Sequence, residues 1–439
     1  MQKSFLVLLA FAAFSAPGIS ADDATPASLP NPLDLKGAVV YALDHNYAIL
    51  LAREQIHQQE GIVVQVKAAG IPNVGATGSY QRNQPSISET FPLSNSVWLA
   101  QVKATQTLFA GGGIRASVRG AELTRDAALF DLQTAIDAAL LDVRTRFYTV
   151  LLNRERVRVQ EENIELLNHQ VRDSQNEARA GTVSNFDVLR AKVALANAQP
   201  DLITARNDYR LSLEQLRQSL GVPRGGQELP PVAGALDYAP QDFALETALA
   251  SAHEHRPELL RLSKLEKAGE QSVTNARSNY YPNLAAFAGY ERVGEGLVQG
   301  GTYNANGWLV GLQSSWAIFD GRATAGHVIQ TKSQLRQTRL SASQEELAVD
   351  VEVRQALSSL QEAKELVTAS QQTSEEAAEA LRLANSRFKA GTATQLDVLT
   401  SQVALTQART NQLQANYTHL VAVANARKAI GLSDAVVGE

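Results

Sequence analysis

The sequence of 439 residues has no cysteine, one methionine and only 6% aromatic residues. The absence of cysteine excludes disulfides, thiolate metal sites, a cysteine nucleophile and a lipid attached to an N-terminal cysteine. Forty basic residues against 45 acidic ones leave a net charge of −5, which disfavours nucleic acid as a partner. Alanine, leucine, glutamine and valine dominate instead, a composition that favours long helices over a thick globular core.

Long apolar runs are also lacking, apart from one at the N-terminus. Lys3 is followed by an apolar stretch from Phe5 to Phe14 and then by Ser15-Ala16-Pro17-Gly18. This order predicts a cleavable secretory signal over residues 1–21. The run is shorter than the roughly 18 residues that a membrane-spanning helix needs. We therefore expect any contact of the mature chain with a membrane to be made by β-strands.

The chain contains an internal repeat with a constant offset of 210 residues. The offset relates Ala180-Gly181-Thr182 to Ala390-Gly391-Thr392, and Asp187-Val188-Leu189 to Asp397-Val398-Leu399. It also relates Tyr80 to Tyr290, Trp98 to Trp308 and Phe109 to Phe319. Such a register predicts two tandem copies of one structural unit. We assign repeat 1 to residues 29–222, a linker to 223–237, repeat 2 to 238–432 and a tail to 433–439.

Each copy shows the same order of predicted elements. A helical segment (Leu33–Lys67; Phe243–Arg277) precedes two strands, at about 71–109 and 281–319. Long helices follow at about 114–180 and 183–221 in repeat 1, and at about 323–390 and 393–431 in repeat 2. Polar segments, Pro85–Asn95 and Gly294–Asn306, are expected to be external loops between the strands.

The first long helix carries a seven-residue hydrophobic repeat, which is typical of helices wound around one another. Its apolar positions are Ile136, Val143, Val150, Val157, Ile164 and Val171, and those of repeat 2 are Val353, Leu360, Val367, Leu381 and Phe388, with Ser374 between. The helix from 114 to 180 would be about 100 Å long. Taken alone, the helices favour an ordinary helical bundle or coiled-coil spacer, and the strands decide against that interpretation.

The strands show period-two alternation. From Trp98 to Leu108 the even positions are mostly apolar, whereas Gln101, Lys103 and Thr105 lie on the other face. Trp98, Trp308 and Trp316 share the apolar parity and are predicted to form a lipid-facing belt. A small soluble β-subdomain would show the same periodicity. Four strands cannot close a barrel in lipid, so a membrane protein of this kind must oligomerise; three chains give twelve strands.

These features together resemble the TolC-like outer-membrane efflux proteins. The resemblance covers nearly all of the mature chain and rests on the doubled layout, the Phe-x-Gly steps at Phe109 and Phe319, and the Ala-Gly-Thr-x-x-x-x-Asp-Val-Leu segments. It implies a homotrimer with a twelve-stranded β-barrel in the outer membrane, continued by a coiled-coil α-barrel through the periplasm. It also implies a passive duct for efflux or type I secretion, with a periplasmic adaptor and an inner-membrane pump as partners.

The resemblance assigns roles to individual residues. Gly181-Thr182 and Gly391-Thr392 would be the helix tips that contact the adaptor. Asp397 would form a threefold carboxylate ring at the channel entrance, although Asp397 and its counterpart Asp187 would serve equally well as helix N-terminal carboxylates. The sequence departs from the family pattern at Phe388, Ala393 and Thr400, so closure by packing is expected rather than a polar lock. Gly111, Gly112 and Gly321 are interpreted as strand–helix joints.

No catalytic, cofactor or metal site is predicted. His253 and His255 are two residues apart, a spacing that points them away from a common helix face. No serine, histidine and aspartate spacing suggests a nucleophilic enzyme either. The rival hypothesis is therefore structural: a periplasmic coiled-coil scaffold or adaptor protein without a pore.

Overall fold

The computed structural model describes residues 29–82, 94–223, 228–297 and 300–432. The predicted signal peptide, the tail and all but the end of the first predicted loop lie outside these residues. The elements of repeat 1 are α1 Leu35–His45, α2 Tyr47–Lys67, β1 Asn73–Arg82, β2 Ser94–Ala110, α3 Gly113–Arg179 and α4 Asn185–Leu220. Those of repeat 2 are α5 Leu245–His255, α6 Pro257–Ser278, β3 Asn283–Leu297, β4 Thr302–Ser315, α7 Ala323–Lys389 and α8 Gln395–Ala429.

The leading helical segment of each repeat is two helices, where the sequence predicts one. The breaks fall at Asn46 and Arg256, which are 210 residues apart and both have extended backbone. Asn46 caps α2, because its Oδ1 accepts hydrogen bonds from Ala48 N at 2.8 Å and Ile49 N at 3.4 Å. Arg256 lacks such a cap; it is buried and forms ion pairs with Glu258 at 3.0 Å and Glu352 at 2.8 Å.

The four strands form one antiparallel sheet in the order β1-β2-β3-β4. Each repeat contributes one hairpin, and β2 pairs with β3 where the two hairpins meet. The predicted loop Gly294–Asn306 was wrong at both ends, since Gly294 pairs with Asn304 and Gly296 with Thr302. Backbone pairing extends through these small and polar residues because the ladder uses main-chain groups. Within the described residues, β1 and β4 have no partner strand on their outer sides.

The strand that the sequence predicts through Phe319 ends earlier. The last residue of β4 is Ser315, so Trp316 lies just beyond the strand. Its indole Nε1 donates a hydrogen bond to Tyr280 O at 3.1 Å. Trp98 and Trp308 lie in β2 and β4 on one face of the sheet, paired with Tyr80 and Tyr290 respectively.

The helices α3 and α7 are 67 residues each, which corresponds to about 100 Å. Their heptad positions are buried or half-buried throughout, with Val143, Val150, Val353, Leu360 and Val367 fully buried. No helix in the described part of the chain has the length and apolar character needed to cross a membrane.

The largest core lies midway along the helices, where α1, α3 and α4 meet the linker. Phe147, Leu151 and Leu216 are almost completely buried there beside Val232 and Leu236 of the linker. The linker is also held by Arg154 of α3, which donates hydrogen bonds to Val232 O at 2.9 Å and Gly234 O at 2.7 Å. Residues 228–237 of the linker therefore pack as part of the fold.

Candidate functional site at the helix tips

Both long helix pairs reverse direction at a glycine turn. Gly181 and Gly391 have φ values of +77° and +74°, which glycine adopts without the penalty of a Cβ atom. Thr182 N donates to Glu177 O at 3.0 Å and Gly181 N to Ala178 O at 3.1 Å, the two hydrogen bonds of a Schellman motif. The turn at Gly391 repeats these contacts. Both glycines and both threonines are exposed, so the tips are open to contact by another molecule.

The carboxylates predicted for the entrance take part in capping boxes at the start of α4 and α8. Asp187 Oδ2 accepts from Ser184 N at 3.2 Å and Ser184 Oγ at 2.7 Å. Asp397 Oδ2 accepts from Thr394 N at 2.7 Å and Thr394 Oγ1 at 2.8 Å. In return, each aspartate donates its backbone N–H to the hydroxyl of the capping residue. These contacts provide the helix-capping role that the sequence allowed for both residues.

The same hydrogen bonds keep the carboxylates ionised. The backbone and side-chain hydrogen bonds from Thr394 hold the pKa of Asp397 below its ordinary value. The hydrogen bond from the Ser184 side chain lowers the pKa of Asp187 in the same way. A lowered pKa means that the cap stabilises the fold above the unfolded-state pKa, and that this contribution is lost as pH falls through the folded-state pKa. Asp397 is exposed and therefore presents its negative charge to solvent.

The other two predicted gate residues lie near these turns, and neither is among the hydrogen-bond partners of the two aspartates in the described part of the chain. Thr400 is exposed, and its Oγ1 donates to Leu396 O at 2.8 Å on its own helix. Phe388 is half-buried and lines a groove with Ser174, Gln395 and Gln402. An aromatic ring without a hydroxyl in this groove is consistent with closure by packing, which stays a prediction.

The structure adds a row of polar contacts that sequence reasoning missed. Along the α3–α8 interface, Gln395 Nε2 donates to Ser174 Oγ at 2.5 Å and Gln402 Nε2 donates to Asn163 Oδ1 at 3.0 Å. Further from the tip, the pairs are Arg409–Glu162, Arg156–Gln414 and Thr149–Tyr417. We call the pairs Gln395–Ser174 and Gln402–Asn163 the tip clasp. It joins repeat 2 to repeat 1 and brings the two turns to the same end of the molecule.

The members of the tip clasp are mostly buried. Ser174, Gln395 and Gln402 are each less than 7% exposed, and Asn163 is half-buried. Buried polar groups are costly without a partner, so each pair depends on α8 staying against α3. The only signal in the sequence is the presence of glutamine and asparagine on helices whose other seam positions are apolar. That signal does not identify the partner.

The strand–helix joints lie at the opposite end of the long helices. Gly111 and Gly112 have φ values of +56° and +83° just before α3, and Gly321 has +66° before α7. A Cβ atom on Gly111 would lie 2.6 Å from Ser278 O, so this joint is also close to α6. Arg322 takes the place of Gly112 in repeat 2 with φ +71°. The described residues contain no group of three or more side chains suited to hold a metal ion.

Comparison with known protein families shows that most of the chain matches one of them. The sequence profile of the family described as outer membrane efflux protein matches residues 38–222 and 248–432. Both the first and the last residues of the two matches are 210 apart, the offset of the internal repeat. The matches together cover most of the chain.

Two curated relatives and one solved structure illustrate the similarity. Cobalt-zinc-cadmium resistance protein CzcC of Cupriavidus metallidurans is 27% identical over 430 residues, covering 94% of this chain and 96% of the relative. Outer membrane efflux protein BepC of Brucella suis is 26% identical, covering 88% of this chain and 84% of the relative. Crystallised CusC has a TM-score of 0.78 with 16% identity, covering 91% of this chain and 92% of that chain, and shares the fold.

Proposed function

The chain belongs to the outer membrane efflux protein family, and we propose that three copies of it form the exit duct of a tripartite export assembly. As an outer-membrane efflux protein it acts at the outer membrane and extends into the periplasm. This function replaces the rival hypothesis of a periplasmic scaffold without a pore.

The proposed trimer is supported by the unpaired outer edges of the four-stranded sheet in the described chain. All ten residues of β1 are exposed, and the apolar face carries exposed Tyr80, Tyr290, Trp308 and Val310. Unpaired strand edges cannot be left in lipid, because each unsatisfied main-chain group there costs several kcal/mol. Three chains would supply twelve strands, enough to close a barrel with a water-filled interior. The helices α3 and α7 are longer than the 40–45 Å of a whole bilayer, so most of their length would lie in the periplasm.

Purified protein in detergent should therefore behave as a trimer and conduct ions in a planar bilayer. Light scattering with detergent correction measures the first property, and single-channel recording measures the second. A monomer without conductance would refute the proposal.

The same proposal gives the tips a role as docking points for a periplasmic adaptor, which in turn contacts an inner-membrane pump. The position of the tips supports this role, because α3 and α7 start at the sheet and both turns lie about 100 Å away with exposed residues.

The substitution Gly391→Pro tests the docking role. Proline at this position lacks the N–H that donates to Phe388 O at 2.9 Å, and its ring cannot adopt φ +74°. We expect this variant to form conducting trimers but to lose export in cells. Normal export by Gly391→Pro would remove the docking role.

We further propose that Asp397 from three chains makes the entrance cation-selective, since like charges focused at a constriction favour counter-ions. Asp397→Asn should lower the ratio of cation to anion permeability at least about twofold in bilayer recordings. Asp187→Asn is the second variant, because it changes the equivalent capping box in repeat 1 and tests whether that carboxylate contributes to the same selectivity. Equal selectivity in wild type and both variants would show that Asp397 is only a helix cap.

A further inference from the structure

The linker between the repeats runs over the middle of the long helices and is attached to three of them. Arg154 of α3 donates hydrogen bonds to its main chain, as described above. Asn416 Nδ2 of α8 donates to Leu236 O at 3.2 Å. Further along, Asp242 forms an ion pair with Lys364 of α7. One short segment of chain therefore connects α3 to the α7–α8 pair.

His419 of α8 lies beneath this segment and is completely buried, with 0% of its surface exposed. Neither ring nitrogen has a hydrogen-bond partner within the described part of the chain. The ring of Tyr238 packs against the imidazole, with ring centroids 4.6 Å apart and planes at 63°. Tyr238 itself is exposed, so it belongs to the outer layer and His419 to the layer below. Buried polar groups nearly always have a partner, and an apolar residue would fill this place at lower cost.

The titratable and charged groups around His419 come from two neighbouring elements. The linker contributes Tyr238 and Asp242, and α7 contributes Lys364. Asp242 is exposed and already paired with Lys364, whose own side chain is only 14% exposed. The residues one turn away on α8 are uncharged: Ala415, Asn416, Ala422 and Val423.

These surroundings favour the neutral imidazole. Burial lowers the pKa of His419, and the positive charge of Lys364 lowers it further. At this level α3 contacts α8 through an uncharged pair, Thr149 and Tyr417, whose hydroxyl groups are 3.2 Å apart. A proton therefore binds His419 more readily once the linker has lifted and water reaches the ring. The attached state loses stability as the pH falls below the ordinary histidine pKa of about 6.5, and it loses no more below the lowered pKa.

We infer that His419, Tyr238 and Lys364 form an acid-sensitive latch, which fastens the linker across α7 and α8 at neutral pH and releases it when the imidazole is protonated. The latch lies within one chain and does not depend on the proposed trimer. Protonation places a second cation beside Lys364, with no acceptor for either imidazole N–H among the described residues. Release of residues 236–242 lets water solvate that charge, and it removes the connection between α3 and the α7–α8 pair.

Thiol labelling tests the latch, because the natural chain has no cysteine. The reporter is Leu236→Cys, at a residue that is 7% exposed and two positions from Tyr238. Thr182→Cys, at an exposed tip, reports the reactivity of a free thiol at each pH. The ratio of the two maleimide labelling rates measures how often the linker lifts. Between about pH 7.5 and about pH 5.5, we expect this ratio to rise at least about threefold in the full-length protein.

His419→Met in the reporter chain removes the titrating group. Its flexible apolar side chain suits a buried site without partners and cannot take up a proton, so the labelling ratio should not change with pH. Asn416→Ala is the matched control, since it removes the hydrogen bond to Leu236 O without removing a titratable group. It should raise labelling at both pH values and keep the pH response of the reporter chain. A ratio that is independent of pH with His419 present, or that rises equally in His419→Met, would overturn the latch.

Thermal unfolding gives a second measurement that needs no cysteine. Over the same fall in pH, the unfolding temperature of the natural chain should drop further than that of His419→Met, because only the natural chain takes up a proton at this site on unfolding. Equal drops in the two proteins would refute the pH-dependent role even if the labelling variants failed to fold. Either result concerns the latch alone, since trimer assembly and conductance are measured separately.

Discussion

Gly221→Ala is expected to be the most destabilising alanine substitution at the helix ends, with a loss of more than about 2 kcal/mol in the free energy of unfolding. Gly221 ends α4 with φ +77°, where any side chain is strained. A Cβ atom there would also lie 2.0 Å from His45 O, a main-chain atom that cannot move aside alone. The substitution would push the end of α4 away from the junction of α1 and α2.

Gly181→Ala is the matched control for this prediction. Gly181 has the same φ of +77°, but a Cβ atom there would meet nothing within 4 Å. The control therefore measures the backbone strain alone, about 1–2 kcal/mol. Thermal or chemical unfolding of the two purified variants, followed by circular dichroism, gives the difference. Equal losses in the two variants would mean that contact with His45 contributes nothing.

The end of α4 near Gly221 also contacts the break between α1 and α2, and this distant contact explains why the break could not be predicted. Asn46 reads as an ordinary polar residue within a helical stretch, and its Nδ2 donates to Ser219 O at 2.7 Å, 173 residues away. Arg256 makes the same kind of junction in repeat 2 through Glu352 and Ala429 O. A local pattern contains no information on such distant partners. The break is decided by tertiary contacts, whereas the helix on each side of it follows from local periodicity.

The repeat, the long helices and the strand pattern could be predicted because each depends on local sequence. Heptad spacing predicts a long helix, alternation predicts a strand, and the Gly-Thr step predicts a turn. The predicted end of β4 lies beyond the observed end at Ser315. Alternation identifies residues that can form a strand, but it does not show whether a partner strand lies beside them. Asp187 and Asp397 were predicted as helix N-terminal carboxylates, whereas their capping-box partners Ser184 and Thr394 were not.

The candidate site was predicted only in part. The turns and the aspartates follow from motifs, but the tip clasp depends on which level of α3 meets which level of α8. Ser174 and Gln395 are 221 residues apart, and Asn163 and Gln402 are 239 apart. Since the two helices belong to different repeats, no periodicity within either helix fixes their relative alignment.

Removing the tip clasp is expected to have the second large effect, which is to raise the fraction of time that the resting duct is open. Gln395→Leu combined with Gln402→Leu removes both donors and leaves Ser174 and Asn163 without these partners while α8 stays in place. An unsatisfied buried polar group costs about 1–3 kcal/mol, and that cost is relieved when α8 moves away and water reaches α3. Because about 1.4 kcal/mol changes an equilibrium tenfold, we expect the open fraction at the tips to rise at least about tenfold.

Bilayer recording of the purified double variant should therefore show longer open times or a larger mean conductance than wild type. Gln407→Leu is the matched control, since Gln407 lies on the same helix but is exposed and bonded only to Asn411, one turn away. If the double variant and Gln407→Leu conduct alike, the clasp stabilises the helix pair without setting the gate. If only the double variant opens, separation of α8 from α3 is the movement that widens the periplasmic end. Phe388 lines the groove beside the clasp, so its packing would be lost in the same movement.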